Sequence, residues 1–427
     1  MPDRVCVVGL GYVGLPLAVA FDDENHDVIG YDIDPDKVER LRSGEDPTGD
    51  VGDGAVASST VEFTSNPAAI GDADVVIITV PTPVDSLQTP NLEFVRSAGR
   101  TVGEHLSPGT TVVLESTVYP GATRDELAPA IEEASGYTAG EEFYMGYSPE
   151  RTSPGETGRG VRDVKKIVSG QTPEVRDRLA ALYDTIVEPG VYPAPDIETA
   201  EAAKVIENVQ RDLNIALMNE LAIVFDRMGL ETTDVIEAAA TKWNFHEYTP
   251  GLVGGHCIPV DPHYLAFKSE REGFSPKLIL QAREINEYMP KHTAEMTLKA
   301  LNQRGNVLQE STVLVLGLAY KPNVGDIRTS EVGEVIKELQ EFNVDVVGHD
   351  PHVDVAASRD EFDIPIQEEA SFDGFDAVML ATPHDEFDDL DLARMHDEMA
   401  DDPLFVDVMG ALDEATVNDH GFAYRRL

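Results

Sequence analysis

Apolar positions fall along the chain in three regimes. Near the start, short runs of Val, Ile and Leu recur: RVCVV (4–8), DVIGYDID ending at Asp32, ADVVIITV (73–80), TTVVLEST (110–117) and, more weakly, EFYMGYS (142–148). Runs of this length and composition read as buried strands of a largely parallel sheet. Helical segments alternate with them, which predicts a doubly wound α/β sheet for residues 1–197. From Glu198 to Gly229 the period changes to one long strand-free helix, followed by helices at 233–240 and 276–303 with a glycine-rich loop at 250–262 between them. From Ser311 the first pattern resumes with TVLVLGLAY, a helix near 331–341, then DVVGHD, AVMLAT and LFVDV.

The expected architecture is α/β: two Rossmann-like doubly wound domains, 1–197 and 306–427, joined by a central helical region, 198–305, built on one long helix. The two α/β ends follow similar patterns and read as distant relatives of each other. Val205, Ile206, Val209, Leu213 and Ile215 make the long helix apolar enough to need cover on more than one face. That predicts burial of the helix and a homodimer, or a higher homo-oligomer, built on it.

The first strand leads into Gly9-x-Gly11-x-x-Gly14 and an apolar helix from about Leu15. In this position the first glycine permits a tight turn, the second lets a pyrophosphate approach the backbone, and the third packs helix on strand. The helix N-terminus offers N–H groups to the phosphates. Asp32, at the end of the second strand, is suited to accept from ribose hydroxyls and would repel a 2′-phosphate, which selects NAD over NADP.

Lys204, Asn208 and Arg211 stand at i, i+4 and i+7 on the long helix and share a face. On a helix this apolar, a polar stripe points to a site. Gly254-Gly255-His256-Cys257-Ile258-Pro259-Val260-Asp261 places a thiol among small neighbours with an acid four residues on, a setting suited to covalent catalysis with loop amides available to an oxyanion. Cys6, within the first strand, reads as a small buried hydrophobe. His256 beside a lone cysteine lacks the second ligand pair that zinc needs, so no metal is expected.

Charge narrows the setting. The 427 residues hold 79 acidic and 32 basic side chains, a formal −47, and 11 of the basic residues are Lys. Such a surface repels nucleic acid and anionic membranes. It suits a halophilic protein, because at ~1 M salt the Debye length shrinks to ~3 Å and self-repulsion is screened. Two cysteines give no disulfide framework, in keeping with a reducing cytoplasm. Val5 to Phe21 is uncharged, but its glycines, Pro16 and the following Asp22-Asp23-Glu24 argue against a leader peptide.

With these motifs assembled, the sequence resembles the UDP-glucose/GDP-mannose dehydrogenase superfamily over nearly its whole length. The resemblance rests on GLGYVGLPLA (9–18), VPTP (80–83), LESTVYPG (114–121), YSPERTSPG (147–155), KVIENVQRDLNIALMNE (204–220), GLVGGHCIPVDP (251–262) and GLAYKPNVGDIRTS (317–330). TKWNF…PGLVGGHCI is most similar to UDP-N-acetylhexosamine 6-dehydrogenases of surface-polysaccharide biosynthesis. Ile258 and Val260 depart from the UDP-glucose branch.

The resemblance implies NAD-dependent four-electron oxidation of a sugar C6 hydroxyl to a uronate, through a thiohemiacetal and thioester on Cys257. Lys204 and Asn208 would then stabilise oxyanions, and Asp261, Thr117 and Glu150 would handle water and protons. It places Tyr12, Val13, Lys37, Pro81, Thr82, Ser116 and Arg328 at the cofactor, together with the glycines and Asp32. Glu150, Arg151, Arg211, Tyr248, Gly254, Gly255 and Lys321 would contact the UDP-sugar, Lys321 at its diphosphate. UDP-N-acetylmannosamine or UDP-glucose as substrate, and a two-electron β-hydroxyacid dehydrogenase, are the alternatives; the last would have no use for Cys257.

Overall fold

The computed structural model of the chain describes residues 3–85, 87–152 and 159–427, so the end of the YSPERTSPG motif, residues 153–155, lies outside the described residues. The chain divides into two compact units, Met1–Asn208 with His263–Ser275, and Val209–Pro262 with Pro276–Leu427.

In the first unit the strands are β1 (Val5–Val8), β2 (Val28–Tyr31), β3 (Glu62–Thr64), β4 (Val75–Ile78), β5 (Thr111–Leu114), β6 (Tyr144–Tyr147), β7 (Lys166–Gly170) and β8 (Val191–Pro193). They form one sheet in the order β3-β2-β1-β4-β5-β6-β7-β8. The pairs are parallel except β6 with β7, which run antiparallel. Val5 sits opposite both Val28 and Val75, so the carboxyl ends of β1, β2 and β4 lie along one edge. All four residues of β1 are buried, as a strand covered on both faces requires. The helix after β1, Gly14–Asp23, starts one residue earlier than its apolar period suggests and buries Leu15, Leu17, Ala18, Val19 and Phe21.

The second unit carries β9 (Thr312–Leu316), β10 (Asp345–His349), β11 (Ile366–Gln367), β12 (Ala377–Leu380), β13 (Leu404–Asp407) and β14 (Ala423–Arg426). Their order, β11-β10-β9-β12-β13-β14, repeats the order of the first six strands of the other unit. Every pair is parallel. Both sheets therefore have the doubly wound Rossmann order, with a switch point beside the first strand where ligands of such folds bind.

The long helix spans Ile197–Met228, 32 residues. Its continuation in the second unit is tied to helix Lys277–Gln303 by a buried polar seam. Arg283 reaches Asp212 at 2.6 Å, and Asn286 donates to Asp212 at 2.8 Å and accepts from Asn219 at 2.8 Å. The expectation that the long helix is buried holds for Val205 and Val209. It fails for Ile206, Leu217, Val224 and Met228, which are exposed in the single chain. A helix not foreseen from the sequence, Asp261–Arg271, begins inside what reads as a glycine-rich loop.

Candidate functional site

In the first unit the glycine turn closes β1. Gly9 adopts φ +97° and a β-carbon on Gly14 would lie 1.8 Å from the Gly9 carbonyl oxygen, so neither position tolerates a side chain. Around Gly11 nothing lies within 4 Å of such a carbon, which leaves the open approach a pyrophosphate needs. Tyr12 and Val13 complete the turn, with Tyr12 exposed. Thr79 donates its hydroxyl to the Gly9 carbonyl at 2.7 Å and fixes the turn to β4.

Asp32 is buried just past β2. One carboxylate oxygen accepts from the Leu10 N–H and from Lys37 Nζ, both at 2.8 Å; the other accepts from the Asp34 N–H at 3.0 Å. A carboxylate has about four lone-pair sites, so an aimed and partly satisfied Asp32 can still accept from a ribose hydroxyl. This turn fits NAD.

Because β4, β5 and β6 run parallel to β1, the segments that follow them emerge at the same edge. Pro81 and Thr82 follow β4, with Tyr264 donating to the Thr82 carbonyl at 2.8 Å. Ser116 and Thr117 follow β5, and Ser116 donates to the Val80 carbonyl at 2.5 Å. Glu150 follows β6. One of its oxygens accepts the N–H groups of Arg151 and Thr152 at 2.6 and 2.7 Å; the other meets Lys166 Nζ at 3.0 Å. Burial opposes its ionisation, but Lys166 and the two amides hold its pKa below the usual carboxylate range. The lowered pKa favours the carboxylate form of Glu150.

Lys166 also meets Glu115 at 2.8 Å, and Tyr183 donates to Glu115 at 2.5 Å. Burial works against the Lys166 charge, yet the two carboxylates lift its pKa above that of an ordinary lysine. The Arg151 guanidinium bonds Glu207 of the long helix at 2.6 Å.

On that helix Lys204 and Asn208 are both buried, as their placement on one face anticipates. Glu201, one turn earlier, is fully buried and accepts the N–H groups of Gly121 at 2.5 Å and Thr123 at 2.8 Å. It ties the LESTVYPG segment, and so Thr117, to the helix that carries Lys204. Burial raises its pKa to about 7.

In the second unit the cysteine loop packs on the segment after β9. Gly255 has φ +90°, and a β-carbon there would lie 2.8 Å from the Tyr320 ring; one on Gly254 would lie 2.7 Å from the Thr329 carbonyl oxygen. The double glycine is thus a steric requirement for seating Cys257. The Cys257 thiol is exposed, whereas Cys6 is buried in β1 and its pKa is pushed up to about 12, chiefly by that burial. The Cys257 carbonyl accepts the Asp261 N–H at 2.9 Å, where the helix Asp261–Arg271 starts, and Asp261 itself is buried.

Asp326 joins the loop to its support. It lies 3.4 Å from His256 and takes a two-pronged bond from Arg328 at 3.0 and 2.8 Å, so Arg328 is engaged within its own loop. Arg211 and Tyr248 line a pocket of about 330 Å³ with Glu247, Thr249 and Met409. Gln210 donates to the Tyr248 hydroxyl at 2.7 Å.

The residues singled out from sequence thus fall into two groups. The first unit holds the glycines, Asp32, Lys37, Pro81, Thr82, Ser116, Thr117, Glu150, Arg151, Lys204 and Asn208; the second holds Arg211, Tyr248, Gly254, Gly255, Cys257, Asp261, Lys321 and Arg328. Sequence reasoning missed Lys166, Glu115 and Glu201. A lysine opening the apolar run KIVSG, in a chain with so few lysines, is the signal that would have found the first.

One unit with a complete dinucleotide turn, and another of the same strand order carrying a glycine-seated thiol, define an NAD-dependent dehydrogenase of the two-domain nucleotide-sugar class. Residues 3–187 match the NAD binding domain of the UDP-glucose/GDP-mannose dehydrogenase family, 198–288 its central domain and 314–414 its UDP binding domain. The chain is 44% identical over 384 residues to Protein CapL of Staphylococcus aureus, covering 90% of each. It is 43% identical over 384 residues to UDP-N-acetyl-D-glucosamine 6-dehydrogenase of Pseudomonas aeruginosa, covering 90% of this chain and 91% of that protein. The solved UDP-D-ManNAc dehydrogenase of Pyrococcus horikoshii superposes with a TM-score of 0.89 at 31% identity, over 99% of this chain and 98% of that one.

This chain belongs to the UDP-glucose/GDP-mannose dehydrogenase family and is an NAD-dependent nucleotide-sugar 6-dehydrogenase. Among the described residues no helix is long and apolar enough to cross a membrane.

Proposed function

We propose that this enzyme oxidises the C6 hydroxyl of a UDP-N-acetylhexosamine to the carboxylate: RCH2OH + H2O + 2 NAD+ → RCOO− + 2 NADH + 3 H+. The observation that carries the reading is the exposed Cys257 thiol on a loop whose two glycines are sterically obligatory, in a chain of this family. A two-electron β-hydroxyacid dehydrogenase has no use for that thiol. The gluco configuration is favoured by 43% identity to a UDP-N-acetyl-D-glucosamine 6-dehydrogenase, against 34% to the UDP-N-acetyl-D-mannosamine dehydrogenase of Pyrococcus horikoshii.

Gly9, Gly11, Tyr12, Val13, Gly14, Asp32, Lys37, Pro81, Thr82 and Ser116 would hold NAD, with Arg328 toward its pyrophosphate, and NAD there would supply the hydride acceptor. Cys257 as thiolate adds to the C6 aldehyde, forming a C–S bond and a thiohemiacetal; the oxidised adduct is a thioester, and water attack releases the carboxylate and returns the thiolate. Lys204 and Asn208 donate to the oxygen as it becomes negative. Glu150, held toward its carboxylate form by Lys166, accepts hydrogen bonds from water or sugar. Thr117 and Asp261 relay the proton from that water. Arg151, Arg211, Tyr248, Gly254, Gly255 and Lys321 hold the UDP-sugar, Lys321 at the diphosphate.

The division 1–197, 198–305 and 306–427, with cofactor, thiol and UDP assigned in that order, belongs to this reading. So does a homo-oligomer built on the apolar surface of the long helix, in a high-salt cytoplasm.

Counting NADH formed per UDP-sugar consumed tests the stoichiometry: two supports the proposal, one or zero refutes it. A panel of UDP-sugars identifies the hexosamine. Cys257→Ser is expected to lose at least ~10³ in turnover and to stall before the carboxylate, because serine is the weaker nucleophile and its ester hydrolyses less readily. Full uronate production by that variant would refute the covalent role.

A further inference from the structure

The turn after β9 repeats the turn after β1 in its backbone but not in its chemistry. Gly317 has φ +80° and donates its N–H to the His349 carbonyl at 2.9 Å, as Gly9 with φ +97° donates to Tyr31 at 2.8 Å. Asp350, past β10, stands where Asp32 stands past β2 and accepts the Leu318 N–H at 2.7 Å, as Asp32 accepts that of Leu10. There the likeness ends.

Asp32 keeps a lysine partner at the surface. Asp350 also accepts the Ala319 N–H at 3.0 Å and meets His384 Nε2 at 2.9 Å, with both side chains fully buried. His384 Nδ1 accepts the Asn323 N–H at 2.8 Å, so the ring proton sits on Nε2 and donates to Asp350. Both ring nitrogens are committed, and one tautomer is fixed from two sides.

The consequence is a clamp on a short segment. At its start, Asp350 holds the Leu318 and Ala319 amides while Thr382 donates to the Ala319 carbonyl at 2.7 Å. At its end, His384 holds the Asn323 amide, and Asp385 exchanges two hydrogen bonds with the Asn323 side chain at 2.8 and 3.0 Å. Asn323 sits in the left-handed region at φ +61°, a conformation these bonds hold. Between the two grips lie Tyr320, Lys321 and Pro322. Tyr320 carries the Gly255 contact that seats the cysteine loop.

We propose that Asp350 and His384 are a buried positioning pair that holds the Tyr320–Pro322 segment so that Lys321 meets the diphosphate of the nucleotide sugar. The pair rests on the reading of Lys321 given above. It touches no substrate and acts through the backbone on either side of Lys321.

Calorimetric titration of the full-length enzyme with UDP tests this, alongside KM and kcat. Lys321→Met is the reference and is expected to weaken UDP binding at least ~30-fold. His384→Phe keeps the ring volume but loses both bonds, and is expected to weaken UDP binding and raise the KM for UDP-sugar ~10-fold, with NAD affinity, held by the first unit, within about twofold. His384→Asn, whose side-chain oxygen stands near the place of Nδ1, is expected to recover part of that loss. Asp385→Ala, an exposed change that removes only the carboxylate's bond from the Asn323 side-chain amide and loosens that end, is expected to weaken UDP ~3-fold and keeps the test open where His384→Phe fails to fold.

Unchanged UDP binding in His384→Phe or Asp385→Ala, with Lys321→Met impaired, overturns the clamp and leaves the diphosphate reading standing. Equal loss of UDP and NAD binding in His384→Phe also overturns it, as that is the mark of general unfolding. Unimpaired binding in Lys321→Met overturns the diphosphate reading and the clamp with it.

Discussion

Lys166→Met removes the cation from between two buried carboxylates. The lysine side chain is 3% exposed, Glu115 is 0% and Glu150 13%, and the N···O distances are 2.8 and 3.0 Å. Methionine fills the volume but leaves negative charge without its counterion, and the folded variant must take up one proton that wild type does not. For a glutamate of ordinary pKa 4.5, forcing that proton on at pH 8 costs about 5 kcal/mol, and at pH 5 about 1 kcal/mol, at 1.36 kcal/mol per unit. The upper figure agrees with the ~3–5 kcal/mol typical of breaking a buried pair.

The sign follows from linkage. The folded variant binds more protons than its unfolded chain, so its stability falls as pH rises, by about 1.4 kcal/mol per unit between pH 5 and pH 8. In wild type the raised Lys166 pKa contributes stability that is lost only above the ordinary lysine range, and the depressed Glu150 pKa contributes stability lost only below the ordinary carboxylate range. Neither changes inside that window, whereas Glu115, whose pKa burial raises despite Lys166, costs wild type some stability as pH rises above the ordinary carboxylate range, so the variant is compared with wild type at each pH. Urea unfolding at fixed high KCl and several pH values, comparing variant with wild type, reads the difference directly. A deficit under ~1 kcal/mol that does not move with pH would show that the cluster carries no buried charge of consequence.

Other expectations follow from the same geometry. Gly11→Ala should fold with near-normal stability yet lose NAD affinity at least ~10-fold, because its β-carbon occupies only the ligand's approach, whereas Gly14→Ala should destabilise the first unit by about 3 kcal/mol or more; equal melting temperatures for the two would contradict this. Glu201, raised to about 7 by burial, binds a proton more tightly folded than unfolded. Its ionisation should therefore cost about 3 kcal/mol of stability as pH rises from about 4.5 to about 7, and Glu201→Gln should abolish that part of the pH dependence in thermal melts. With a formal charge of −47, both melting temperature and UDP affinity should rise as KCl is added to dilute buffer; a steady fall would remove the high-salt reading.

The strands that read clearly from sequence were those whose two faces are both covered. In β1, β4, β5 and β9 an unbroken apolar run is itself the record of burial. The short edge strands β3, β8, β11 and β14 left no such record, since one side of each is open and polar residues are tolerated there. The helix from Asp261 was hidden because Pro259 and the glycines before it read as a loop, and only its packing in the fold extends it to Arg271. The antiparallel β7 was illegible for a different reason: direction is a property of the connection, and nothing in KIVSG encodes it.

Chemistry divided along the same line. The sequence by itself determined the glycine turn, the acid past the second strand, the helix bearing Lys204 and Asn208, and the cysteine loop, because each depends on residues close together along the chain, where spacing alone fixes which groups share a turn or a face. Only the tertiary structure decided that Glu150 shares Lys166 with Glu115, that Glu201 ties the segment after β5 to the long helix, and that Asp350 and His384 grip the turn that mirrors the first. Those partners lie tens of residues apart, and a buried charge or ring nitrogen chooses whichever group the fold brings within hydrogen-bonding reach, a choice made by packing and invisible to local pattern.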